Sequence, residues 1–134
     1  MKKRVGLLIS TLDEIKSLAQ QSIEKVKEGY RTRISELAQD IELDDSRLLQ
    51  EAVVLAEKAD ISEECVRLDS HLVQLKELVE TDGSAGKRMN FLLQEINREI
   101  NTIGAKTSEI EITRRVIDMK EKAEQIKEQV QNVL

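Results

Sequence analysis

The sequence predicts an all-α protein, an elongated bundle of about five helices, and three features of its composition carry that prediction. The 134 residues contain no proline, and aromatic side chains amount to 1%, one Phe and one Tyr. Leu, Ile, Glu, Lys, Gln and Arg dominate the rest. Sheet proteins need turn residues at short intervals and favour aromatic and β-branched strands, whereas these residues are good helix formers. With 40% apolar and 35% charged residues, the chain is too apolar for disorder and too charged for a membrane protein. Its length suits one domain spanning residues 1–134.

The first third carries one stripe through Leu8, Leu12, Ile15, Ala19, Ile23, Val26, Tyr30, Ile34, Leu37 and Ile41. Its steps of 3 and 4 repeat every 11 residues, as from Ile15 to Val26 to Leu37. That period, about 3.67 residues per turn, suits a long, nearly straight helix. Gly29 within it costs roughly 1 kcal/mol against Ala, too little to end a helix this periodic, so one helix is expected over about 4–43. Asp44 and Asp45 offer an N-cap for a second helix, with Leu48, Leu49, Ala52, Val53, Ala56 and Ala59 inward. Asp60 with Glu63 three residues on resembles a capping box opening a third helix. Val66, Leu68, Leu72, Leu75 and Leu78 or Val79 form its stripe.

Thr81 to Gly86 is the one clear loop. A fourth helix follows, with Met89, Leu92, Leu93, Ile96, Ile100 and Ile103 inward and Gly104 as the C′ residue. Ser108 can cap the last helix. There Ile112, Val116, Met119, Ala123, Ile126, Val130 and Val133 form a heptad stripe that predicts packing along another helix. The two long striped helices at the chain ends are expected to pair with each other or with another subunit.

Several function classes are excluded early. No apolar run approaches the 18 or so residues of a membrane span, and the apolar stretch of MKKRVGLLIS is too short for a signal peptide. The single Cys65 rules out an internal disulfide and a cysteine-rich zinc site. A reducing, cytoplasmic setting is therefore expected. The net charge of −5 argues against a uniformly basic nucleic-acid coat. Yet residues 87–115 hold six basic residues against four acidic ones, so the chain can carry one positive face.

The segment 86–106, GKRMNFLLQEINREINTIGAK, departs from ordinary solvated helix. At 100° per residue its polar side sorts into bands. Asn90, Gln94, Asn97 and Asn101 fall on one flank, and Arg88, Glu95 and Glu99 on the other. Lys87, Phe91 and Arg98 lie between, opposite the apolar stripe. Asn is a poor helix residue, so aligned amides point to directed hydrogen bonding. An outward Phe needs a partner: another helix, another subunit, or a base to stack on. Glu95 and Glu99, one turn apart, can share a divalent cation, or Glu95 can pair with Arg88 or Arg98 while Glu99 faces solvent. Gly86-Lys87-Arg88 opens the helix, where free N–H groups and two cations favour phosphate, although no P-loop spacing is present. The lone His71 shares a helix face with Glu64 and Arg67. Histidine is the usual proton carrier near neutral pH, and a surface histidine paired with a carboxylate fits that position too.

These residues resemble the C-terminal domain of the YicC/YloC endoribonuclease family, also labelled stress-induced proteins. The likeness rests on Lys87, Arg88, Asn90, Phe91, Gln94, Glu95, Asn97, Arg98, Glu99, Asn101, Thr102 and Lys106. Glu128, Gln129, Gln131 and Asn132 near the end of the sequence add to it, as does the stretch holding Glu63, Glu64, Arg67 and His71. The first 40 residues match in pattern only. The resemblance implies a cytoplasmic, metal-dependent endoribonuclease that assembles as a ring-like hexamer around RNA, with no small-molecule cofactor and no membrane. It also implies a separate N-terminal domain outside this sequence. Two schemes follow from it. In one, Glu95 and Glu99, with Glu63 or Glu64, hold Mn²⁺ or Mg²⁺ that activates water or the leaving oxygen. In the other, His71 moves the proton while Arg67, Lys87 and Arg98 bind phosphate. In either, Arg88, Phe91, Asn97, Asn101 and Lys106 contact RNA. The competing class is a non-catalytic module for oligomerisation and RNA clamping, with the chemistry in the other half.

Overall fold

A computed structural model describes residues 1–37, 50–51, 53–54, 60–81 and 85–133. Four α-helices account for nearly all of them: α1 (Lys2–Leu37), α2 (Ser62–Glu80), α3 (Gly86–Lys106) and α4 (Ile110–Val133). No strand occurs among the described residues. The expected second helix lies mostly outside them. Gln50, Glu51, Val53 and Val54 are helical, but Val53, expected inward, is 51% exposed.

Each helix packs on two neighbours, α1 on α2 and α4, and α3 on α2 and α4, which closes a four-sided bundle. The direction of α1 against α4 follows from three cross-links. Arg4 Nε donates to Gln125 Oε1 at 3.1 Å, Arg115 Nε to Glu14 Oε2 at 3.0 Å, and Ser22 Oγ to Glu109 Oε1 at 2.9 Å. As one number rises the other falls, so the two end helices pair antiparallel within one chain. Ser22 is already level with the start of α4. Residues 23–37 of α1 therefore run on for roughly 22 Å at 1.5 Å per residue.

The core follows the stripes read from the periodicity, in α1 as far as Ile15, while Ala19 and Ile23 are half-buried. Leu8, Leu12 and Ile15 of α1, Leu68, Leu72 and Leu75 of α2, Ile96, Ile100 and Ile103 of α3, and Met119 and Ile126 of α4 are fully buried. Val66, expected in the α2 stripe, is 68% exposed. It lies 100° from Cys65, and Ile61 and Cys65 take the inward positions instead. Burial pushes the Cys65 thiol up to about 11, so it packs as a small apolar group.

The helix ends differ in detail from expectation. The N–H of Ser62 is taken by Asp60 Oδ1 at 2.9 Å, and the Ser62 hydroxyl bonds the same oxygen. Before α4 the capping group is Thr107, whose Oγ1 accepts from the Glu109 N–H at 3.1 Å, in place of Ser108. Gly104 is not a terminator, since α3 runs on to Lys106 and none of the described glycines has positive φ. A Cβ at Gly104 would stand 3.1 Å from Val116 Cγ1, so its role is close approach of α3 to α4. Val116 is buried and stiff at χ1, and it has little room to yield. Gly104→Ala is therefore expected to lower stability by about 1 kcal/mol, the overpacking cost exceeding the helix-propensity gain. Thermal unfolding followed by circular dichroism checks this, and an unchanged or raised Tm would show that Val116 moves aside.

Candidate nucleic-acid interface

The seam between α2 and α3 gathers most of the charged residues singled out from the sequence. Lys106 Nζ donates to Glu64 Oε1 at 2.7 Å, and Arg67 Nε to Glu99 Oε1 at 2.9 Å. These two pairs fix α2 and α3 antiparallel. Both carboxylates are buried, Glu64 at 3% and Glu99 at 8% exposure, so Glu99 does not face solvent. Glu64 lies in the first turn of α2 and Lys106 in the last turn of α3, where each suits its helix dipole.

Arg67 is hydrogen-bonded through one nitrogen and ion-paired at longer range through the other two. Its Nη2 is 3.6 Å from Glu64 Oε1 and its Nη1 3.7 Å from Glu63 Oε2, too far for hydrogen bonds. The planar fork is thus oriented by Glu99 while its outer N–H groups can serve a ligand.

Titration of this seam has a definite sign. Burial pushes the Glu64 carboxyl up, but the Lys106 hydrogen bond, a backbone hydrogen bond and the charges of Lys106 and Arg67 outweigh it, and the net shift is below 4.5. The Glu64 hydrogen bond raises Lys106 above 10.5. A depressed carboxylate contributes stability above its unfolded value and loses it as pH falls through the folded one. A raised ammonium contributes below its unfolded value and loses it as pH rises through the folded one. The pair therefore supports the fold between 4.5 and 10.5. Stability measured by urea unfolding is expected to fall as pH drops below 4.5, and Glu64→Gln should flatten that acid limb. An unaltered limb in the variant would remove Glu64 from the acid transition.

His71 stands one helical turn beyond Arg67 on the same seam, half-buried, with Nδ1 enclosed and lacking a hydrogen-bond partner. The antiparallel register set by the two pairs brings half-buried Glu95 to its level. Across the outward face of α3, Lys87, Arg88, Asn97, Arg98, Asn101 and Phe91 are exposed, Phe91 at 60%. Lys87, Phe91 and Arg98 are therefore on the outward side, where the projection placed them.

Glu95, Glu99, Glu63 and Glu64 are the carboxylates that resemblance implies as metal ligands. Among the described residues no group of three His, Cys, Asp or Glu side chains lies close enough to hold an ion. Glu64 and Glu99 are taken by Lys106 and Arg67, and the Glu63 side chain is 86% exposed. The sequence reading missed Glu124 and Lys127 of α4, which face the amide flank of α3 across a small cleft. Their only signal was their place beside the Ala123–Ile126 stripe.

No helix among the described residues is long and apolar enough to cross a membrane. Residues 15–134 match the family described as endoribonuclease YicC-like, C-terminal. The chain is 44% identical over 131 residues to a protein of Clostridioides difficile (strain 630) named "Probable endoribonuclease YicC", covering 97% of this chain and 45% of that one. A Haemophilus influenzae protein of the same name is 30% identical over 135 residues, 99% of this chain and 46% of that protein. The chain thus spans less than half the length of these curated relatives. With its stripes, its charged seam and this match over most of its length, the chain belongs to the YicC-like C-terminal domain family.

Proposed function

We propose that the chain is the RNA-engaging helical domain of an endoribonuclease, with the substrate strand lying along the outward face of α3. The observation that carries this reading is the Arg67 fork, hydrogen-bonded to buried Glu99 through Nε, with both Nη atoms in ion pairs too long for hydrogen bonds. It stands at the edge of a face bearing Lys87, Arg88 and Arg98 beside exposed Phe91. Guanidinium forks match phosphate oxygens, cations that neutralise phosphates supply most of the affinity, and exposed aromatics stack unpaired bases. Asn97, Asn101 and Lys106 extend the contact set.

His71 and Glu95 are the groups proposed to move protons in cleavage, because His71 lies one turn from Arg67 on α2 and the antiparallel register brings Glu95 to its level. Resemblance implies Mn²⁺ or Mg²⁺, and two of the implied ligands, Glu64 and Glu99, are hydrogen-bonded to Lys106 and Arg67. A ring-like homo-oligomer around RNA is part of the same proposal. Labelled single-stranded and hairpin RNA, incubated with the chain and with Glu95→Gln/Glu99→Gln in Mn²⁺ or in EDTA, tests the reading. Binding with cleavage lost in the variant supports catalysis on this domain. Binding without cleavage assigns it clamping alone, and no binding in either condition overturns the proposal.

A further inference from the structure

One ammonium ties the end of α3 to the entry of α2. Lys106 Nζ lies 2.7 Å from Glu64 Oε1 and 3.5 Å from the Asp60 carbonyl oxygen. Two cations thus converge on Glu64 Oε1 at unequal range, Lys106 at 2.7 Å and Arg67 Nη2 at 3.6 Å. The other half of the carboxylate is poorly served, because Glu64 Oε2 is enclosed without a hydrogen-bond partner. A carboxylate buried to 3% exposure keeps its charge only with a cation close by. Lys106 is that cation, and its compact charge is met by a single oxygen. Glu63, Glu64 and Glu99 surround the Arg67 guanidinium. How tightly each of them holds it sets how much of it a phosphate can take.

We infer that Lys106 is a positioning residue for Arg67: by satisfying Glu64 it keeps the guanidinium off that carboxylate and leaves its Nη donors for phosphate. The inference rests on the RNA-engaging role proposed above and goes beyond the contact given to Lys106 there. Without the ammonium, Glu64 would hold a buried charge with both oxygens lacking a hydrogen bond. The cation left beside it is Arg67, three residues on and so its neighbour on the α2 surface. Its Nη2 needs only to close from 3.6 Å to hydrogen-bond distance, while Nε is already seated on Glu99. The fork would then be shared between two carboxylates of the chain. Its planar pair of donors would no longer be available to a phosphate.

Fluorescence anisotropy of the chain with labelled single-stranded RNA, in EDTA and across a range of salt, tests this through a rescue. Lys106→Met is expected to weaken binding about tenfold, the loss of a charged contact. Adding Glu64→Gln removes the charge that draws Arg67 inward. The double variant should regain about threefold or more in affinity and about 0.7 in the slope of log affinity against log salt, one single-strand phosphate contact. In an Arg67→Ala background the same addition should regain nothing. Unchanged binding in Lys106→Met, no recovery in the double variant, or equal recovery with and without Arg67 overturns the inference and leaves the RNA-engaging role standing. If the parent chain binds no RNA, both fall. Circular dichroism checks folding of each variant. Where Lys106→Met does not fold, Lys106→Gln, which keeps an N–H donor for Glu64 without the charge, takes its place.

Discussion

Ile100→Ala is expected to lower the unfolding free energy by roughly 3–4 kcal/mol, within the range for truncating a fully buried aliphatic side chain. Ile100 has no exposed surface and sits on α3, the helix that packs on both α2 and α4. The loss combines the transfer free energy of three carbon groups with a cavity that a bundle closed on four sides cannot easily collapse. Val66→Ala deletes similar atoms from a side chain that is 68% exposed and should stay within about 0.5 kcal/mol of the parent. Urea unfolding at constant m-value separates the two. Equal midpoints would mean that α3 is not held in the core as described. Because Glu99 directly precedes Ile100, the truncation should also loosen the seat of Arg67 and weaken RNA binding alongside stability.

Arg67→Ala is expected to weaken RNA binding by about tenfold or more and to lower the slope of log affinity against log salt by about 0.7, one single-strand phosphate contact. Arg67→Lys restores the charge but cannot bond Glu99 through Nε while offering a planar pair of donors to phosphate, so it should recover only part of the affinity. Glu99→Gln leaves an amide oxygen to accept from Nε and should cost less than Arg67→Ala. Binding measured from low to high salt checks all three. Full recovery in the lysine variant would show that Arg67 acts as a charge alone, and an unchanged salt slope in Arg67→Ala would remove it from the phosphate contacts.

Much of this was legible in the sequence for a simple reason. Helical periodicity is a local property, and a stripe such as Ile112, Val116, Met119, Ala123, Ile126 and Val130 buries as read because every helix of the bundle presents one face inward. The banding of α3 was legible on the same ground, and Phe91 is exposed where projection placed it. Val66 departs from expectation because Cys65 packs as an apolar residue and takes the first inward position of α2, ahead of Leu68, Leu72 and Leu75. Gly104 departs from expectation because a glycine near a helix end reads as a terminator, while its reason, Val116 at close range, belongs to another helix.

The site divides along the same line. Residue types and spacing on one helix brought out Arg67 with Glu64 and Glu95 with Glu99, since neighbours at i+3 and i+4 are fixed by helix geometry. That Glu99 is buried under Arg67, that Lys106 closes onto Glu64, and that Glu124 and Lys127 face three amides depend on which helices lie side by side. The sequence by itself determined an all-α chain, its stripes and the unusual face of α3, because these follow from 3.6 residues per turn. Only the tertiary structure decided that Glu99 pairs with Arg67 and Glu64 with Lys106, because pairing between α2 and α3 is set by packing across residues 32 and 42 positions apart.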